Sequence, residues 1–142
     1  MNDIVMVDVD GTVALMGKGI PSRRGPYEWD RVGEDDPCQP VIDLVRDLRT
    51  CGYQIVFLSG RDAVCRLQTW MWLVAHGAAQ DGDELWMRPH KDNRPDNEVK
   101  IELYQRHVAP RPVKYVLDDR DQVVKAWRAI GLTVLQVADG DF

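Results

Sequence analysis

The sequence predicts an α/β fold, a five-stranded parallel sheet with helices on both faces, and three observations predict it. Short β-branched runs alternate with longer segments of helical periodicity. Acidic, hydroxyl or basic residues recur directly after those runs, where an open parallel sheet places its ligands. The longest apolar stretch, residues 70–75, is far shorter than the roughly 20 residues a membrane span needs.

The elements follow in order. Residues 4–7 (Ile-Val-Met-Val) are too short for a helix, and end in Asp8-Val9-Asp10-Gly11-Thr12, a buried strand opening into a loop. Residues 13–40 lack periodicity and hold Pro21, Pro26, Pro37 and Pro40 with four glycines. An excursion of about 25 residues is too long for an idle turn. Pro40 suits the first turn of a helix carrying Val41, Leu44, Val45 and Leu48, with Gly52 beyond its end. Residues 53–58 read as a second strand, Ser59-Gly60-Arg61 as its exit, and Asp62 as the cap of a helix with Val64, Leu67, Met71 and Val74 facing inward. Residues 84–87 form a third strand, followed by a polar loop and a helix over about 97–107 that Pro110 and Pro112 stop. Residues 113–117 are a fourth strand ending in Asp118-Asp119-Arg120. A helix over 122–130 with Val123, Val124, Trp127 and Ile130 inward follows, then Gly131 and a fifth strand over 132–137.

At 142 residues, 44% hydrophobic and 29% charged, the chain is expected to be one domain spanning 1–142, with a short cap-like excursion at about 14–40. The formal charge of −5 argues against a surface that wraps many nucleic-acid phosphates. Cys38, Cys51 and Cys65 have neither disulfide-framework nor zinc spacing, which reads as reduced thiols in a cytoplasmic protein with no membrane partner. Gly11 to Lys18 has the wrong spacing for a kinase phosphate loop.

The parallel topology gathers Asp8, Asp10, Asp118 and Asp119 at one rim, each near pair repelling by about 4 kcal/mol at an intermediate dielectric. A divalent cation resolves that repulsion, and an all-oxygen set favours a hard ion such as Mg²⁺, with Mn²⁺ or Co²⁺ as substitutes. Asp8 and Asp10, at i and i+2, point to the same side, so one can attack phosphorus while the other handles the proton. Lys100 near a helix start neutralises a phosphate dianion, and Ser59 and Thr12 offer hydroxyl donors.

Asp-x-Asp-Gly-Thr after the first strand, Ser after the second, a helix-borne Lys and Asp-Asp after the fourth resemble the four motifs of haloacid dehalogenase superfamily phosphatases. Ser59-Gly60-Arg61, Met87-Arg88-Pro89, residues 94–100, 118–124 and 136–142 are similar to the 3′-phosphatase domains of bacteriophage polynucleotide kinase-phosphatases. The resemblance implies a Rossmann-like fold with a minimal cap, and a Mg-dependent 3′-phosphatase acting on DNA or RNA ends. Asp8 would be the nucleophile that forms an aspartyl-phosphate, and Asp10 the general acid and base. Ser59 and Lys100 would hold the phosphoryl group. The metal would be held by Asp8, the Asp10 main-chain carbonyl, Asp118 and Asp119. Thr12, Gly60, Arg61, Arg88 and Arg94 are candidates for substrate contact, Tyr27 and Trp29 for base stacking, and Lys18, Arg23 and Arg24 for guiding a strand. The implied partners are a 3′-phosphorylated nucleic-acid end and a separate kinase or ligase. Two other readings stay open, a phosphatase of nucleoside monophosphates and a non-catalytic phospho-acceptor module. The order of the motifs counts against the second.

Overall fold

The computed structural model describes residues 2–17 and 24–142. β1 (Ile4–Val7) is flanked by β4 (Gln54–Asp62) and by β6 (Val113–Asp118). With β5 (Glu84–Arg88) and β7 (Val134–Gln136) outermost, the parallel sheet has the order β5-β4-β1-β6-β7. The chain builds one side of β1 and then crosses to the other, so the crevice beyond the carboxyl ends of β1, β4 and β6 is a topological switch point. All five expected strands are present.

Four helices cover the sheet: α1 (Gln39–Thr50), α2 (Arg66–Ala75), α3 (Asp96–His107) and α4 (Asp121–Ala129). Alternation along β1 sorts the core into two layers. Val5 and Val7 pack with Ile42, Val45, Trp72 and Leu73 of α1 and α2. Ile4 and Met6 pack with Val99, Leu103, Val123, Val124 and Trp127 of α3 and α4. Among the described residues no helix is long and apolar enough to cross a membrane.

The excursion folds onto the first layer. β2 (Ala14–Leu15) pairs antiparallel with β3 (Asp36–Pro37), and a 3₁₀ turn over Trp29–Glu34 buries Val32. Lys18 and Arg23 lie outside the described residues.

Several inward assignments are corrected. On α2 and the turn before it, Val64, Leu67, Met71 and Val74 face outward, while Cys65, Thr69, Trp72 and Leu73 face the core. The segment is apolar nearly all the way round, so two stripes compete. Trp72 decides between them, because its indole buries the larger area and donates to the Asp35 carbonyl at 3.0 Å. Thr69 turns inward with it and accepts from buried Arg61. Leu44 and Ile130 are also part-exposed, Leu44 because Ile42 takes the inward place on α1, Ile130 because α4 has already ended at Ala129.

Candidate active site

The sheet register builds the site. One residue beyond the pairs Val7–Phe57 and Val7–Leu117 stand Asp8 and Asp118, and Ser59 follows on β4. Asp8 continues the ladder, its N–H donating to the Leu117 carbonyl at 2.9 Å, so it is held as firmly as a strand residue. Gly11 then turns the chain at φ +81°; a Cβ there would stand 2.0 Å from Asp119 Oδ2. Glycine therefore serves both the turn and the approach of Asp119.

Asp8, Asp118 and Asp119 are buried, and one ligand oxygen from each lies within 4.8 Å of the others. Lys100, on the second turn of α3, reaches between two of them, with Nζ 2.7 Å from Asp8 Oδ1 and 3.1 Å from Asp118 Oδ2. Thr12 donates its hydroxyl to Asp8 Oδ2 at 3.0 Å. The Asp119 N–H donates to Asp118 Oδ1 at 2.8 Å, and Trp127 Nε1 donates to Asp118 Oδ2 at 3.4 Å. Burial, with the neighbouring Asp118 charge, pushes the Asp8 carboxyl well above the ordinary carboxylate range. Burial likewise raises Asp119. Burial works against the Lys100 charge, but Asp118 and Asp8 overcome it and hold the ammonium well above its usual value. Three carboxylates facing one ammonium leave two negative charges uncompensated. An all-oxygen donor set with that excess fits a hard divalent cation.

Asp10 sits in a different electrostatic setting. Its carboxylate accepts from Arg61 Nη2 at 2.8 Å and Nε at 3.0 Å, and from Arg24 Nη2 at 3.1 Å. Behind the arginines lies buried Asp35, which accepts from Arg24 at 2.7 and 2.9 Å and from Arg61 at 2.7 Å. Two arginines and two aspartates form a charge-neutral quartet. The Asp10 side chain thus belongs to this quartet, and the carboxylate triad consists of the other three acids. Arg61 and Arg24 are spent on it, so neither presents a free guanidinium to a strand.

The remaining candidates line the same rim. Ser59 is buried and accepts the Arg61 N–H at 3.1 Å, which leaves its own hydrogen to donate. Gly60 admits Asp96, whose Oδ1 would lie 1.8 Å from a Cβ. Arg88 donates to the Gly60 carbonyl at 2.7 Å, to the Arg94 carbonyl at 2.6 Å and to Asp96 at 3.1 Å, a brace for the loop between β5 and α3. Arg94 is bound by Asp92 at 2.6 Å and by Glu102. Trp29 is half-buried, packed against the core while also lining the cavity, whereas Tyr27 is exposed. Asp35, Asp96 and Phe142 were not anticipated. Asp96 had a signal, an acid four residues before a lysine on one helix; Asp35 had none.

The crevice over these groups is a cavity of about 740 Å³, with Asp8, Asp10, Lys100 and Asp119 among its lining residues. The family "Polynucleotide kinase PNKP phosphatase domain" matches residues 2–142. The chain belongs to this family. It is 35% identical over 137 residues to the "Putative bifunctional polynucleotide kinase/RNA ligase" of Autographa californica nuclear polyhedrosis virus, a match covering 94% of this chain and 19% of that protein. Two solved structures, described as the Pnkp1/Rnl/Hen1 complex and the Pnkp1/Rnl/Hen1 RNA repair complex, superpose with TM-scores of 0.90 at 34% identity. They cover 100% and 99% of this chain, and 48% and 44% of theirs. The chain therefore spans a fifth to a half of the relatives it matches. Its fold is that of the family's phosphatase domain, and the family is one of hydrolases in nucleic-acid end repair.

Proposed function

We propose that this chain removes the 3′-phosphate from polynucleotide ends through an aspartyl-phosphate on Asp8. The observation that carries the reading is the separation of the two loop acids, one among carboxylates and an ammonium, the other between two arginines. Asp10 enters the cycle protonated: Asp8 attacks phosphorus in line, the bond from phosphorus to the 3′-oxygen breaks, and Asp10 delivers that proton to the departing oxygen. Asp10 then takes a proton from water as the water oxygen attacks phosphorus and the bond to Asp8 breaks, releasing inorganic phosphate. Ser59 and Lys100 hold the phosphoryl oxygens, and Arg61 and Arg24 fix the Asp10 carboxylate for both transfers. A divalent cation, Mg²⁺ by its preference for partial protein cages, would be held by Asp8, Asp118, Asp119 and the Asp10 main-chain carbonyl, where it would neutralise charge on the phosphoryl group.

The kinase/ligase relative and the repair-complex structures support a further part of the reading, that this phosphatase works beside a kinase or ligase. A site in the cytoplasm accords with its free thiols. The test measures inorganic phosphate released from a 3′-phosphorylated oligonucleotide, a 5′-phosphorylated one and both mononucleotides, with Mg²⁺ or EDTA. Metal-dependent release from the 3′-oligonucleotide above all others is expected. Preference for a mononucleotide would overturn the polymer-end reading.

A further inference from the structure

Among the described residues, several exposed large apolar side chains group on α2 and the turn before it (Val64, Leu67, Met71, Val74), and others line the active-site cavity (Met16, Tyr27, Phe142). At the mouth stand Tyr27, 81% exposed, and Phe142, 69% exposed, one from the excursion and one from the segment after β7. Both line the cavity that contains Asp8 and Lys100. A phosphoryl group fills a small part of such a volume, which is in the range of pockets that take a nucleotide-sized ligand.

Both rings are braced from behind. Tyr27 meets Trp29 edge-on, with centroids 6.1 Å apart at 83°, and half-buried Trp29 packs against the core. Phe142 has the Arg120 guanidinium over its ring at 5.2 Å, and its carbonyl accepts from Arg120 Nε at 3.0 Å. Its segment is held on the carboxylate loop. The Gly140 carbonyl accepts from the Asp121 N–H at 2.9 Å, and a Cβ on Gly140 would stand 1.8 Å from the Asp119 carbonyl oxygen. Aromatic rings with few rotatable bonds, already braced, lose little freedom when a ligand covers them.

The charges of the mouth point the same way. Every described arginine lining the cavity already has an acidic partner: Arg61 with Asp10 and Asp35, Arg88 and Arg120 with Asp96, Arg94 with Asp92. These paired guanidiniums are poor handles for a phosphodiester backbone, whereas the two rings are largely exposed.

We propose that Tyr27 and Phe142 form the platform on which the base of the 3′-terminal nucleotide stacks. This stacking gives the enzyme a grip beyond the reacting group. The inference rests on the 3′-end reading above. Stacking needs only a π-face, so the platform accepts any of the bases.

The experiment compares a 3′-phosphorylated oligonucleotide with the same strand carrying an abasic 3′-terminal nucleotide, for the wild type, Tyr27→Ala, Phe142→Ala, Tyr27→Phe and Phe142→Tyr. The wild type is expected to favour the base-bearing strand about tenfold or more in kcat/KM, mostly through KM. Each alanine variant shrinks that ratio toward one, and each aromatic replacement restores it. Circular dichroism confirms that the variants fold, as truncation of exposed rings allows. Alanine variants that keep the full wild-type ratio, or a wild type that does not distinguish the two strands, overturn the platform while the 3′-end reading stands. A wild type inert on both strands overturns the 3′-end reading and the platform with it.

Discussion

Replacing Asp8 by Asn is expected to stabilise the metal-free protein while removing its response to metal. The ligand oxygens of Asp8, Asp118 and Asp119 are buried within 4.8 Å of one another. At that distance and an effective dielectric of about 20, each like-charged pair costs about 3.5 kcal/mol, so Asp8, facing two of them, meets roughly 7 kcal/mol of repulsion. Lys100 at 2.7 Å returns about 6 kcal/mol on the same scale. The small deficit adds to the cost of burying a carboxylate, in keeping with the raised Asp8 pKa. An amide keeps the shape, still accepts from Lys100 and sheds the charge. A gain of about 1–3 kcal/mol is expected, or roughly 3–5 °C in Tm per kcal/mol for a chain this size. The sign with pH follows from linkage. The folded chain holds the Asp8 proton more tightly than the unfolded chain does, so this contribution is complete below the unfolded carboxylate pKa of about 4 and is lost as pH rises through the raised folded value. The variant escapes that loss, and its advantage in EDTA is larger at pH 8 than at pH 5. Calorimetry at both pH values, with EDTA and with Mg²⁺, reads all of this, since Mg²⁺ raises the Tm of the wild type by mass action. A variant that melts below the wild type in EDTA, or a gap that does not grow with pH, refutes the reasoning.

Gly11→Ala places a Cβ against Asp119 at a positive φ, and is expected to cost about 1–3 kcal/mol in a denaturant melt and to weaken Mg²⁺ binding measured by calorimetry. Asp35→Asn leaves two buried arginines facing Asp10 alone; a loss of about 3 kcal/mol or more is expected, and hydrolysis of an alkyl phosphate should fall further than that of nitrophenyl phosphate, because the poorer leaving group depends more on a well-placed Asp10. The Arg94 side chain holds the half-buried Asp92 carboxyl down to about 2, so its NMR titration midpoint is expected near there in the wild type and higher in Arg94→Ala.

The sheet was legible because its signal is local: short apolar runs ending in an acid mark β1 and β6, one ending in Ser59 marks β4, and their parallel order brings Asp8, Ser59 and Asp118 together. Which face of a helix turns inward was legible where one stripe dominates, as with Val123, Val124 and Trp127 of α4. It was illegible on α2, where Trp72 and its bond to the Asp35 carbonyl, a contact across 37 positions, override the stripe of Leu67 and Met71. The same reason hid the quartet. Asp10 and Arg61 announced themselves by motif, but Arg24 and Asp35 acquire meaning only when the excursion folds back, and no spacing encodes that return. Arg88 and Arg94 read as substrate contacts because sequence shows a charge and not its partner.

The quartet also divides the molecule by how freely its parts can change. Arg24 and Asp35 fasten the excursion to Asp10 and Arg61 on the sheet side, and between these two fastenings runs the segment that bears Tyr27. The ten positions from 25 to 34 are therefore not equally free: Val32 and Trp29 pack on the core and must keep their size, whereas exposed Tyr27 can be exchanged while the two anchors, and with them the Asp10 carboxylate, stay as they are.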